Sequence, residues 1–153
     1  MVARSIDALQ GLAARLTAKY DVRCVALKAD LADPNAVNQI GAELERRAIQ
    51  IDLLINNAGL GLTGSFLSHE LTKEQAALQV NVQALVALTH QFGSSMAIRG
   101  KGGIMNLASN SAFQPLHHMA TYAAAKAFIL QPNDRSPWAS SSATKVSRSA
   151  PSQ

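Results

Sequence analysis

Cysteine is nearly absent from this 153-residue chain: Cys24 stands alone, so no internal disulfide can form, and a reducing compartment is the simplest setting. Long apolar runs are missing too. None approaches the roughly 18 residues of a membrane-crossing helix, and the first residues carry no signal-peptide core, so a soluble, cytoplasmic protein without a membrane partner is expected. Charge is sparse at 16%, against 48% hydrophobic residues, which excludes a disordered polyelectrolyte and fits one globular domain of ordinary size. The net charge of +4 points to no nucleic-acid surface. Half of that excess lies in residues 131–153, where Arg135, Lys145 and Arg148 face only Asp134, and no basic stripe marks the rest. There is no internal repeat, and no Cys, His or acidic set with metal-ligand spacing.

What is present alternates. Ser5 can cap a helix carrying Ile6, Leu9, Leu12, Ala13 and Leu16 on one face. Val22–Ala29 reads as a strand ending at Asp30-Leu31. Asp33-Pro34 gives an N-cap with Pro in the first turn of a helix running to about Ala48. Ile51–Ile55 is a second strand. Thr72 to Gln75 has capping-box spacing and opens a long helix to about Phe92. Gly103-Ile-Met-Asn-Leu-Ala reads as a buried strand ending at Ser109, and a helix with Tyr122 follows. Strands alternating with helices imply an α/β fold with a doubly wound parallel sheet of Rossmann type and ligands at the strands' carboxyl ends.

Chemistry concentrates in Tyr122-Ala-Ala-Ala-Lys126, which puts a phenol and an ammonium one above the other on a helix face. A free Tyr with a pKa of about 10 is a poor base, and bringing it to about 7 takes about 4 kcal/mol. One ammonium about 4 Å away, at an effective dielectric of about 20, supplies about that much. Tyr122 is therefore a candidate general acid/base near neutral pH, and the Ser109 hydroxyl could hold a carbonyl oxygen against it.

Together with Asp52-Leu-Leu-Ile-Asn-Asn-Ala-Gly59 upstream and Asn81 mid-helix, these residues resemble the short-chain dehydrogenase/reductase family, in its classical branch, from about Val2 to Leu130. The resemblance implies reversible hydride transfer between a nicotinamide cofactor and a small-molecule carbonyl or secondary alcohol. It implies that Ser109 polarises the carbonyl, Tyr122 passes the proton, Lys126 tunes Tyr122 and holds the nicotinamide ribose, and Asn81 anchors a water linking Lys126 to solvent. Asn56, Asn57, Ala58 and Gly59 match the segment lining the ribose, and Asp30-Leu31 the pair framing the adenine. Arg4 matches the basic position that receives a 2′-phosphate, which implies NADP(H) ahead of NAD(H). The family commonly forms homo-oligomers through the long helix.

Departures from the family are equally legible. Its Gly-rich pyrophosphate loop has no counterpart here. Gly59-Leu-Gly61-Leu-Thr-Gly64 has the right glycine spacing, but no helix opens within it and no acidic residue follows about 20 positions later. It reads as a loop over the site, direct phosphate contact being the alternative. The chain starts where the family's second strand would end, so the sheet is expected to be incomplete and the fragment impaired as an enzyme. Residues 1–130 are expected to form a partial domain and 131–153 a disordered or out-of-frame tail. That tail holds seven Ser and three of the five Pro but no Leu, Ile or Phe. One codon choice for Asp134–Ser149, read out of frame, spells SLAVGVELRDQGVKV, an amphipathic helix running into a strand, so a frameshift is expected. The alternatives are a catalytically inactive remnant acting as a dimerisation or binding module, or a fragment without function. Elsewhere His69 and His90 read as surface or helix-side residues, and His117 and His118 as loop residues that could line a substrate cleft.

Overall fold

The computed structural model describes residues 1–114 and 117–130, in two compact units, Met1–Ile49 and the residues from Gln50 on. The first unit contains β1 (Val2–Ala3), α1 (Ile6–Tyr20), β2 (Leu27–Lys28) and α2 (Ala36–Arg46). β1 and β2 are parallel, with Val2 opposite Leu27 and Ala3 opposite Lys28. Of the apolar stripe read for α1, Leu9 and Ala13 are buried, Ile6 and Leu16 are half-buried and Leu12 is exposed; Val37, Ile40 and Leu44 from α2 and Leu27 and Ala29 from the strand region complete the core. Two boundaries differ from expectation. The strand expected over Val22–Ala29 is two residues long, because a strand persists only where a neighbour completes its hydrogen bonds, and β1 offers only two residues. α2 begins at Ala36 because the Asp33 carboxylate turns back to accept from the Asn35 N–H (2.8 Å), making a turn before the helix.

The second unit contains β3 (Leu53–Asn56), α3 (Leu71–Leu78), α4 (Ala84–Arg99), β4 (Gly103–Asn106) and α5 (Ala120–Leu130), with 3-10 turns at Phe66–Ser68 and Asn110–Ala112. β3 and β4 are parallel and in register from Leu53–Gly103 to Asn56–Asn106, so the helical stretch between them is their crossover. That stretch is one helix interrupted by a single π turn, Gln79–Gln83. α3 starts at Leu71 behind Glu70, with no side-chain cap, so the expected Thr72–Gln75 capping box does not form. The helix also runs past Phe92 to Arg99 and stops at Gly100, in the left-handed region at φ 66°. Gly102, at φ 144°, lies against the Met96 side chain, where an added Cβ would collide. Each unit thus carries its own two-stranded parallel sheet flanked by helices: an α/β fold with an incomplete doubly wound sheet. The tail expected from residue 131 lies outside the described residues. Among those described, no helix is long and apolar enough to cross a membrane.

Candidate active site

The carboxyl ends of β3 and β4 bring most of the candidate residues of the second unit together. Beyond β4, the Leu107 carbonyl accepts a hydrogen bond from Lys126 Nζ at 3.0 Å, joining the strand end to α5. Lys126 is only 4% exposed, and burial pushes its pKa below the usual lysine value. One turn back on the same helix stands Tyr122, its ring centroid 5.7 Å from the Lys126 nitrogen. Ser109 sits in extended backbone at the mouth of the Asn110–Ala112 turn, which packs on α5. Its hydroxyl oxygen accepts from the Ser111 N–H at 3.3 Å, an arrangement that leaves the hydroxyl hydrogen for donation.

Asn81 explains the π turn. Its side chain is 1% exposed and reaches two places at once. Nδ2 donates to the Ala77 carbonyl four residues back (2.8 Å) and to the Leu60 carbonyl (2.7 Å), while Oδ1 accepts from the Leu60 N–H (3.2 Å). An amide that bonds a carbonyl of the preceding helical turn competes with the backbone ladder, which fits the widened helix at this point. The result is that the loop after β3 is tied to the crossover helix.

That loop closes over the site through its glycines. A Cβ on Gly59 would stand 3.2 Å from Asn81 Oδ1 and 3.6 Å from Lys126 Nζ. A Cβ on Gly61 would meet Met119 at 3.5 Å and the Tyr122 ring at 3.7 Å. Gly59, Asn81, Tyr122 and Lys126 therefore share one locality, with Ser109 on the turn that packs against α5. Asn57, Ala58 and Gly59 are exposed at the strand end. Asn56 turns inward, its amide donating to Asn106 Oδ1 (2.8 Å) and Thr89 Oγ1 (3.1 Å), so its side chain fixes β3, β4 and α4 to one another. Arg4, Asp30 and Leu31 lie in the first unit: Arg4 is exposed just after β1, and Asp30 accepts from the Ala32 N–H (3.0 Å) just past β2.

Two features escaped sequence reading. His69 is not a simple surface residue; its Nδ1 stands 2.7 Å from Glu74 Oε1, and Glu74 is buried in the first turn of α3. The Thr89 and Asn106 partners of Asn56 are likewise tertiary, and no local pattern announces them. His117 and His118 are exposed, and the His118 carbonyl accepts from the Gly64 N–H at 3.0 Å.

The buried Lys126 allows a first test. Its pKa is lowered in the folded chain and about 10.5 when unfolded, so the unfolded state binds more protons between the two values. Stability should therefore rise as pH climbs from the lowered value to about 10.5. Lys126→Met should lack that rise and lose little stability near neutral pH, since the cost of burying an ammonium goes with it. Urea titrations at several pH values check this, and a strongly destabilised Met variant would make Lys126 a structural residue.

Residues 1–132 match the family described as short chain dehydrogenase. The NADP-dependent 3-hydroxy acid dehydrogenase of Schizosaccharomyces pombe is 26% identical over 132 residues, which are 86% of this chain and 51% of that protein. A short-chain dehydrogenase from Sphingobium yanoikuyae, solved in complex with NADPH, is 35% identical with a TM-score of 0.77, over 84% of this chain and 50% of that one. A 7beta-hydroxysteroid dehydrogenase structure, determined to study stereoselectivity, superposes with a TM-score of 0.81 at 26% identity, over 86% of this chain and 51% of its own. The chain thus spans about half the length of these relatives.

Proposed function

This chain belongs to the short chain dehydrogenase family, and on that premise we propose that it supplies the proton-transfer site of an oxidoreductase acting on a carbonyl or secondary alcohol with NADP(H), in preference to NAD(H). The observation that carries the reading is the buried Lys126 ammonium, one turn from Tyr122, donating to the Leu107 carbonyl and with a glycine loop beside it.

The residues suit a nicotinamide cofactor. A side chain at Gly59 would crowd Asn81 Oδ1, 3.2 Å from an added Cβ, and fill the space beside Lys126 Nζ, while the exposed Asn57–Gly59 backbone lies open at the strand end. Lys126 has N–H donors beyond the one spent on Leu107, and ribose hydroxyls would match them. Asn57, Ala58 and Gly59 would line that ribose, with Asn56 holding the strand end beneath. Asp30 and Leu31 would frame the adenine and Arg4 would receive the 2′-phosphate. The cofactor, when bound, supplies or accepts the hydride.

Everything else falls to the chain's own side chains. Ser109 donates its hydroxyl hydrogen to the substrate oxygen and holds it in place. Tyr122 gives that oxygen a proton during reduction and takes one during oxidation. Lys126, its Nζ 5.7 Å from the Tyr122 ring centroid, stands beside the proton donor and would hold the nicotinamide ribose. Asn81, its amide committed to Leu60 and Ala77, fixes the loop beside Lys126 and would anchor the water that links Lys126 to solvent.

Cofactor choice gives a direct test. In a protein completed to the length of its relatives, Arg4→Asp should reverse a preference for NADPH over NADH, because a carboxylate repels the 2′-phosphate and can accept from a ribose hydroxyl. Ratios of kcat/KM for the two cofactors measure it, and an unchanged ratio removes Arg4 from the site.

A second reading, a module that docks a copy of itself or a relative through the crossover helix, is favoured by the apolar side chains that helix exposes: Leu71, Leu78, Val86 and Ile98. Sedimentation of the wild-type chain against Val86→Lys separates it from a purely enzymatic role. A dimer lost on substitution supports the module, and a monomer in both sinks it.

A further inference from the structure

Glu74 is a buried carboxylate with no part in the chemistry above. It is 6% exposed in the first turn of α3 and faces two different elements. On one side His69 Nδ1 stands 2.7 Å from Oε1. On the other lies Thr121 of α5, the residue before Tyr122. Thr121 first, and His69 second, hold the Glu74 carboxyl below its usual pKa, although Oε2 makes no fully formed hydrogen bond among the described residues. His69 in turn reaches the loop. Its Nε2 is 3.3 Å from the Thr63 carbonyl, and its ring sits so close to Gly64 that an added Cβ would come within 2.8 Å of Nε2. Gly64, at φ 141°, donates its N–H to the His118 carbonyl, and Gly61 three residues earlier lies on the Tyr122 ring.

We propose that Glu74 and His69 are positioning residues for the Tyr122 site: their bond clasps the loop Gly61–Gly64 to α3 and α5 and so fixes the wall lying against the phenol. The proposal rests on the reading of Tyr122 as proton donor, and it adds two residues outside the Ser109, Tyr122 and Lys126 set. The physical case is one of contiguity. A glycine-rich loop has little apolar burial to hold it, so a part-buried, charge-assisted bond at its far end sets its position. Glu74 bonds the loop's anchor, and its own helix packs on α5, which carries Tyr122, so a shift at either is felt at the other.

The test uses the protein completed to the length of its relatives and reads the loop separately from turnover. Glu74→Ala and His69→Ala should each speed hydrogen exchange of the Gly64 N–H by about tenfold or more. The Leu107 N–H, bonded to the Asn56 carbonyl between the two strands, should stay unchanged in the same samples. Glu74→Gln keeps an acceptor oxygen for His69 and should recover most of the protection. In assays, the Ala variants should raise KM for the ketone more than they lower kcat, with KM for NADPH unmoved. Unchanged Gly64 exchange in the Ala variants overturns the clasp. Equal acceleration at Leu107 also overturns it, since that is general loosening, as does failure of Gln to rescue. A protected Gly64 in a protein that reduces no ketone leaves the clasp standing and defeats the enzymatic reading instead.

Discussion

Replacing Tyr122 by Phe, in a protein made by joining residues 1–130 to the remainder of a full-length relative, is expected to lower kcat for ketone reduction by about 10²–10⁴-fold. NADPH binding should stay close to that of the parent. The substitution is narrow. Phe keeps the ring that lies against Gly61 and the 5.7 Å approach of Lys126 Nζ to its face, and removes only the hydroxyl. A loss confined to kcat is therefore the signature of a missing proton, since an interaction made only in the transition state lowers kcat and kcat/KM together. Steady-state kinetics with a direct NADPH titration measure both parts. Retention of most of kcat would mean that another group protonates the oxygen, and the exposed His117 and His118 would be the first to examine.

The second large effect concerns length. A polypeptide of these 153 residues alone is expected to show no measurable NADPH-dependent reduction, and activity should appear when residues 1–130 are joined to the rest of a relative. Holding reactants in place can supply about 7–11 kcal/mol of the barrier, and that requires a rigid floor under the cofactor. Among the described residues each unit has a sheet of two strands, and a two-stranded sheet is at best marginal. On β3, Leu53 and Ile55 are 55% and 53% exposed, so apolar surface that a sheet would bury faces water. Net stabilities run to about 5–15 kcal/mol, so a few unpaired strand edges at about 1–3 kcal/mol each matter. The family's Gly-rich pyrophosphate loop, which would present backbone N–H groups, has no counterpart in this sequence. Robust turnover by the short polypeptide would contradict this expectation.

Reading the chain before its structure succeeded where the signal is local. Tyr122 and Lys126 sit on one helix at a spacing that fixes their geometry, and the apolar runs of β3 and β4 name their own strands. Where local signals compete, the boundaries moved. Asp33 chose a turn over a cap, Thr72 made no capping box, and the Val22–Ala29 run shrank to Leu27–Lys28 because strand length depends on a neighbour. The sequence places Asn81 mid-helix, but nothing in its spacing reveals a π turn or a side chain that grips Leu60. The His69–Glu74 bond was invisible for the same reason. Its partners are five residues apart, but its role depends on Thr121, far along the chain, and on a loop that folds back over both.

The central claim is that hydride moves between the cofactor and a carbonyl while Tyr122 moves the proton, and isotopic labelling reaches it most directly. The completed protein is supplied with a simple ketone and with NADPH deuterated at its transferable position, and the alcohol is weighed by mass spectrometry. The account predicts one deuterium on the carbinol carbon with wild-type Tyr122, and almost no alcohol of any mass with Tyr122→Phe. Alcohol lacking deuterium, or labelled alcohol formed equally fast by the Phe variant, would contradict it.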